Sequence, residues 1–524
     1  MKMRMKNSFL HILFLAILFV NIIEPGFSQV APSDDLFQKK FTYHTLSTYQ
    51  KKLFDDFVEE EFPKGSLIAE TLNEKSGTRS KMRLAEALCF RNKAGDLQDA
   101  IIVIKWIFSL QNLEPGNPRY GGFKGAVNDK NYDDNMREFI GTDLIIIYDK
   151  FKNKLPPDFR KEFENCLIQT AKGDIIRNVN PDYNNISIMS SFMQDYVGSK
   201  FNMPDMQAAG LKKAKQIYAN FQKYNTLCEY NSPTYYGVDF TGLALWRELA
   251  VSPAFKQMGK ELEKELWLDL AQFYNANLQN ISGPYLRSYG MDMKKYTAIV
   301  GVWIAAAVDN PLIATVPAKA GPHNESNFIV CVLDLGISMP KKALTQFQQF
   351  DQPRFLSRTT SNYYEGDRLK KVTAYIQKEW MMGGLWGNRK VSHILKTGTM
   401  HWLSPGGDVA WMFVPGEGKT NVQVDEKQMS IYLADPAAKE FEIMVYAKNK
   451  STANFQEDSW NLEPMKIGIK TTLHKIRAVV MDLDSVQNTI ETPAYYPFMF
   501  KIIYEIPVNW NVKEPLVILA PKYN

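Results

Sequence analysis

The sequence predicts a chain in two parts, a helical first half followed by an antiparallel β half, and three observations carry that expectation. From about Leu46 to Asp309 the apolar residues recur at helical spacing, with little strand-like alternation. Past Pro311 they alternate instead, with β-branched and aromatic enrichment and Gly, Pro or Asn turns at short intervals. A length of 524 residues also exceeds the size at which one core usually stops growing, so two domains are expected.

Taken in order, the chain opens with Lys2, Arg4 and Lys6 ahead of an apolar run from Phe9 to Ile23, with the small residues Gly26 and Ser28 behind it. That pattern reads as a secretory signal over residues 1–28, short for a bilayer span, so a periplasmic or secreted protein with no membrane segment after cleavage is expected, with a retained N-terminal membrane anchor as the alternative. The clearest helices are Leu97 to Gln111, Asp134 to Phe151, Pro157 to Arg177, Ile186 to Ser199, Met206 to Lys223, Phe240 to Ala250, Glu261 to Asn277 and Met291 to Asp309. Short connections carrying Pro, Gly and Asn imply antiparallel hairpins, arranged as a bundle or a ring of helix pairs. The helical domain is expected over residues 29–317, a linker over 318–327, and a β domain over 328–524. Its strands read as FIVCVLDLGI, KKVTAYIQKEW, GDVAWMFVP, QMSIYLAD, EFEIMVYAK, HKIRAVVMDLD, FKIIYEIPV and PLVILAP.

The formal charge of +5 falls to +3 once Lys2, Arg4, Lys6 and Glu24 leave with the signal, too weak a balance to argue for nucleic acid. Gathered in one cleft, it suits an anionic ligand. Cys89, Cys166, Cys228 and Cys331 are scattered, form no zinc spacing, and read mostly as buried free thiols. No HExxH, GxSxG or Walker loop is present, which leaves zinc or serine hydrolysis and nucleotide binding without a fingerprint. His393 and His401 are too weak a pair to argue for a metal, and no cofactor is expected.

What the inter-helix turns offer is tyrosine, asparagine and arginine. NDKNYDDNMREF (Asn128 to Phe139), NPDYNNIS (Asn180 to Ser187), EYNSPTYYGVDF (Glu229 to Phe240) and GPYLRSYGMDM (Gly283 to Met293) each precede or open an apolar run. If hairpins alternate in direction, such turns converge on one rim. One reaction that uses this set is β-elimination from a uronic acid in a polysaccharide. The C5 proton becomes acidic enough only when the adjacent carboxylate is neutralised, which Asn and Arg can do. A base then takes that proton and an acid protonates the leaving glycosidic oxygen. A tyrosine base needs its ordinary pKa of about 10 lowered by a cation such as Arg287, whereas a neutral tyrosine is already a competent donor.

The order of an Asn-rich turn, an NSPTY turn and an R-x-Y-G turn ahead of a β domain resembles the (α/α) toroid polysaccharide lyases, the group that includes chondroitin, alginate and glucuronan lyases. The resemblance covers the mature chain as architecture. It implies an (α/α) toroid of helical hairpins followed by an antiparallel β-sandwich, and an acidic polysaccharide or oligosaccharide as substrate. More narrowly, the chain looks similar to secreted lyases acting on rhamnose-capped glucuronic acid, polysaccharide lyase family 27. Carried over, Asn184 or Asn185 and Arg287 neutralise the carboxylate, while Tyr235 or Tyr236 and Tyr289 move protons. Glu229, Tyr230, Asn231, Asp134, Arg137, Asp292, Tyr296 and His401 are the expected substrate contacts. The helical half lacks the histidine those enzymes often use, which favours a tyrosine base unless His393 or His401 reaches across.

Duller explanations stand beside these. Asn184 and Asn185 are also good helix caps, Arg287 is also a partner for Asp292 or Glu229, and each tyrosine is also a packing residue. A toroid glycoside hydrolase would instead use two carboxylates from Asp133, Asp134, Glu138, Asp182, Glu229, Asp239 and Asp292. A non-catalytic glycan-binding protein would stack sugars on Trp246, Trp386 or Trp402.

Overall fold

A helix that is apolar on one stripe covers a core, and one that is apolar all round must lie inside it. Both kinds alternate along this chain. The fold is given by a computed structural model that describes residues 35–130, 133–317, 324–360, 369–387, 395–448, 450–473, 475–480 and 499–524. The expected signal, the first part of the expected linker, His323, His393 and His474 lie outside the described residues. Leu36–Asn524 forms one compact unit.

The helices are α1 (Thr48–Glu61), α2 (Thr78–Arg91), α3 (Asp96–Phe108), α4 (Met136–Phe151), α5 (Pro157–Arg177), α6 (Asn184–Lys200), α7 (Pro204–Tyr224), α8 (Tyr235–Leu249), α9 (Pro253–Phe273), α10 (Ile299–Val308), α11 (Ile329–Leu335) and α12 (Lys341–Gln348). In α6 every residue from Asn184 to Gly198 is buried, and α4 and α8 are nearly as enclosed. By contrast α7 buries only Met206, Gly210, Lys213, Ala214, Ile217 and Phe221, one helical stripe. The enclosed helices α2, α4, α6, α8, α10 and α11 each touch the next, and α11 touches α2, while α3, α5, α7 and α9 back them from outside. At the α8–α10 contact a Cβ on Gly237 would lie 2.4 Å from Ile299, so only glycine lets the two helices meet there.

The stretch FIVCVLDLGI, expected as a strand, is a helix over Ile329–Leu335 with a strand only at its end, Ile337–Pro340. A short apolar run has no period to read, and here it is buried among α2, α8 and α10. Both α11 and α12 therefore belong to the helical layer, and the large sheets begin only at Arg354. The short strands β1 (Leu36–Lys39), β2 (Tyr274–Asn275), β3 (Asn280–Ile281) and β4 (Ile337–Pro340) pair as β1 with β4 and β2 with β3.

The remaining strands are β5 (Arg354–Thr360), β6 (Lys370–Ile376), β7 (Trp380–Trp386), β8 (Lys396–Leu403), β9 (Val409–Pro415), β10 (Thr420–Val424), β11 (Met429–Leu433), β12 (Glu440–Tyr446), β13 (Ser459–Leu462), β14 (Met465–Lys470), β15 (Lys475–Val480), β16 (Met499–Glu505) and β17 (Pro515–Tyr523). They form an antiparallel sheet of eight in the order β15-β16-β12-β9-β8-β7-β6-β5 and one of five in the order β10-β11-β17-β14-β13. Successive residues of a strand face opposite ways, and the larger sheet uses both faces. Met381, Trp411 and Phe413 join the helical core, while Met382, Met412 and Val414 pack with Val422, Ile431 and Leu519 of the smaller sheet. All four cysteines are buried and none is in a disulfide.

The larger sheet meets the helical layer through the segment after β3. A Cβ on Gly383 of β7 would lie 1.7 Å from the Gly283 carbonyl oxygen, so the segment rests directly on strand backbone. Gly383→Ala should cost about 2 kcal/mol or more by forcing the two apart. A thermal melt checks this, and an unchanged Tm would show that the contact does not bear on stability.

Candidate active site

Three corners of the helical layer meet at one place, and local sequence explains each. Between α5 and α6, Asn178 takes the left-handed conformation that ends α5, and the Asn180 side chain accepts from Asp182 N at 2.9 Å to turn the chain into α6. Between α7 and α8, Asn231 is also left-handed, with φ 55°, and the Ser232 hydroxyl accepts from Tyr235 N at 2.9 Å to start α8. This start places Tyr235 and Tyr236 in the first turn of α8, ahead of the expected Phe240. Between β3 and α10 the segment 282–298 has no regular structure, although the sequence suggests a helix from Met291.

That irregular segment is held from both sides. Asn231 Nδ2 donates to the carbonyls of Ser282 and Pro284, and Leu286 N donates to Tyr230 O at 3.2 Å. From the sheet, Tyr285 exchanges backbone hydrogen bonds with Lys396, and His401 Nε2 donates to Met291 O at 2.9 Å. Arg287 and Tyr289 are thereby carried on a short strap clamped between helices and sheet.

At the centre lies the buried carboxylate of Glu229. It accepts from Asn185 N at 3.0 Å, Asn185 Nδ2 at 2.8 Å and Arg287 Nη1 at 2.5 Å, so one residue ties the three corners together. Arg287 Nη2 also donates to Tyr235 Oη at 2.6 Å, and its guanidinium lies 3.7 Å from the centre of that ring. Tyr235 Oη is hydrogen-bonded in turn to Tyr289 Oη. Glu229 and Asn185 are sealed off, whereas Arg287, Tyr235, Tyr289 and the nearby Tyr183 remain partly exposed. A fourth corner joins through Asn135, which donates to Tyr183 Oη at 3.1 Å and accepts from Arg177 at 2.7 Å.

Burial dominates the electrostatics. It raises Glu229 above the usual carboxylate range, with Arg287 and Asn185 pulling the other way. Asp239 is fully buried, neither oxygen has a hydrogen-bond partner among the described residues, and burial plus repulsion from Glu229 push its pKa well up. Arg287 is held firmly cationic by Glu229 despite its own burial. Burial also raises Tyr235, and the adjacent Arg287 offsets only part of that, so the expectation of a phenol acidified by Arg287 is not met in this state.

Other candidates take different places. Tyr236 is buried with its hydroxyl 2.7 Å from Thr226 Oγ1, away from the Arg287 cluster, and Tyr230 packs edge-on against Phe273. Asn184 links two corners, accepting from Cys228 N at 2.7 Å and donating to Pro181 O at 3.1 Å. Arg137 is buried and donates to Tyr120 O, and Asp134 is exposed with its carboxylate 3.5 Å from Arg119. Asp292 is buried at the strap, accepts from Lys294 N at 2.9 Å and is pushed up to about 6 by burial. Tyr296 is buried against Gly290. Tyr183, Asn135 and Arg177 complete the rim, and the cue for them was the Asn-rich, Tyr-bearing turns themselves.

The fold and rim together define a helical layer on antiparallel sheets with a phenol-rich cluster at its corners. Residues 48–330 match a family described as a domain of unknown function (DUF8769), and the chain belongs to that family. No curated protein matches the sequence. Among solved structures, the chain is similar to chondroitin AC lyase of Streptomyces coelicolor A3 in complex with chondroitin sulphate, at 9% identity and TM-score 0.47 over 91% of this chain and 80% of that one. It is also similar to heparan sulfate lyase HepC from Pedobacter heparinus, at 10% identity and TM-score 0.35 over 91% of this chain and 83% of that one.

His401 gives a pH test of the clamp. Complete burial lowers its pKa to about 3, so the folded protein holds it neutral while the unfolded chain binds a proton below about 6.5. The unfolded state then binds more protons, and stability falls as pH drops from 6.5 toward 3, by up to about 1.4 kcal/mol per unit. His401→Gln keeps a donor for Met291 O but cannot titrate. Its loss of Tm between pH 6.5 and 4.5 should be smaller than that of the wild type, and parallel curves would assign acid sensitivity elsewhere.

Proposed function

We propose that the chain is a polysaccharide lyase, secreted or periplasmic, that cleaves a uronic-acid-containing glycan by β-elimination at the Arg287, Tyr235 and Tyr289 cluster. In this reading the closed succession of helix contacts is an (α/α) toroid and the two packed sheets are a β-sandwich. The observation that carries it is the unbroken chain of polar contacts from Glu229 through Arg287 and Tyr235 to Tyr289, buried at one end and open to solvent at the other.

Arg287 is the cation that draws the sugar carboxylate and stabilises the charge that develops beside C5. Asn185 acts through Glu229, fixing the guanidinium. Tyr235, kept protonated by burial, gives its proton to the leaving glycosidic oxygen. Tyr289 as phenolate takes the C5 proton, the C5 electron pair forms the new double bond to C4, and the C4–O bond breaks. The hydrogen bond between the two phenols then passes the proton from Tyr289 to Tyr235 and restores the starting state. The active form thus holds one proton between two phenol oxygens.

Hydrolysis has less support. Glu138, Glu229, Asp239 and Asp292 are buried, with Glu138 and Glu229 engaged by Arg177 and Arg287, while the more exposed Asp133, Asp134 and Asp182 are partnered by Arg79, Arg119 and Asn220. Simple sugar stacking on Trp246 and Trp402 is also unsupported, because both are fully buried.

Incubation with alginate, glucuronan, glycosaminoglycans and arabinogalactan, the last bearing the rhamnose-capped glucuronate of the narrower resemblance, should release an ultraviolet-absorbing unsaturated product from at least one. Reducing ends without absorbance would mean hydrolysis. On the responsive substrate, Tyr235→Phe and Tyr289→Phe should each lower kcat by ~100-fold or more, and Tyr236→Phe should stay within about twofold of the wild type. Because the active form requires loss of one phenol proton from the pair, and burial holds Tyr235 high, kcat/KM should climb as pH rises toward about 10. Equal losses at Tyr235 and Tyr236, or a rate that falls over that range, would contradict the assignment.

A further inference from the structure

Outside the corner cluster, β7 ends in a tryptophan that the core does not use. Trp386 is 37% exposed, and its ring stands edge-on to Tyr432 of β11 with centroids 5.1 Å apart. The two rings line an open groove of about 600 Å³ between the end of β7 and β10, the edge strand of the smaller sheet. Strand alternation sets its polar lining. Val422 and Val424 turn into the core, which leaves Asn421 and Gln423 on the outer face, and Asn421 sits opposite Tyr432 in the register. Asn421 Oδ1 accepts from Gly387 N at 3.0 Å and so fixes the backbone beside Trp386. Exposed Lys513 also lines the groove.

We propose that this groove binds a segment of acidic glycan. A pyranose ring presents an apolar C–H face and an equatorial rim of hydroxyls, which match an indole face flanked by amides and a phenol. Lys513 supplies the cation for a uronic carboxylate. None of these residues belongs to the catalytic corners, so the groove holds a chain rather than cleaving it. The preference for an acidic glycan rests on the lyase reading, but the groove itself does not.

Affinity electrophoresis of the full chain in gels containing each uronic-acid polysaccharide, run on the Tyr235→Phe background, separates holding from cleavage. Retardation of that variant by at least one acidic polysaccharide is expected. Adding Trp386→Ala should weaken retention at least tenfold, and adding Lys513→Ala should weaken it for acidic but not for neutral glycans. Turnover of short oligosaccharides by the Trp386→Ala single variant should match the wild type. Retention unchanged by Trp386→Ala, or absent with every polysaccharide, overturns the groove. Retention that depends on Trp386 in a protein that produces no unsaturated product sustains the groove while ending the lyase reading.

Discussion

The carboxylate of Glu229 is the constraint on which the site depends. A buried acid is tolerated only when paired and hydrogen-bonded, and this one receives two donors from the start of α6 and one from the strap that follows β3. Since Glu229 itself sits in the turn before α8, its contacts fix three chain segments far apart in sequence. Removing one partner of such a group leaves the rest uncompensated, typically at a cost of about 3–5 kcal/mol. The stacking and hydrogen bond of Arg287 on Tyr235 then follow from the position Glu229 imposes on the guanidinium.

Enclosed helices make this geometry possible. A helix such as α6, buried on every side, has no freedom to roll, so Asn185 in its first turn has a fixed direction. The strap has no helix of its own and relies on clamps instead, Asn231 from the helical side and Lys396 and His401 from the sheet. Close approach of β7 at Gly383 completes the clamp. Among the described residues the sheets therefore hold the site without placing a reacting group in it, and His401, fully buried and with its pKa lowered to about 3, donates to the backbone.

Much of this was legible in the sequence where the pattern was strong. Pro157–Arg177 was read to the residue because proline opens it and a left-handed asparagine closes it. Thr48–Glu61 and Thr78–Arg91 are helices outside those the sequence pattern marks, and Ile329–Leu335 reads as a strand because a short, largely buried run carries little period. Convergence of the Asn-rich, NSPTY and R-x-Y-G turns followed from alternating hairpins. The choice between Tyr235 and Tyr236 did not, since adjacent residues of a helix differ by about 100° in direction and only the start of α8 decides which one faces the rim. The pairing of Arg287 was foreseen as the duller reading, with Glu229 or Asp292 as partner. That Glu229 would also take Asn185 could not be read from residues 44 apart in sequence.

That pairing changes what a neutralising arginine means here. With Glu229 on Nη1 and Tyr235 on Nη2, Arg287 is already balanced before any sugar arrives. In the lyase reading, a substrate carboxylate drawn to it would be another acid sharing the field of one guanidinium, beside a Glu229 already close enough to Asp239 to raise it. Burial and the Glu229 charge push Asp239 well up, toward its neutral form, and burial has already raised Glu229 in the same direction. A second carboxylate at Arg287 would push Glu229 further in that direction, which favours the neutral form of the buried acid over the arginine breaking its contacts. In that reading the acids behind the rim hold the cation in place while the phenols in front of it would exchange the proton.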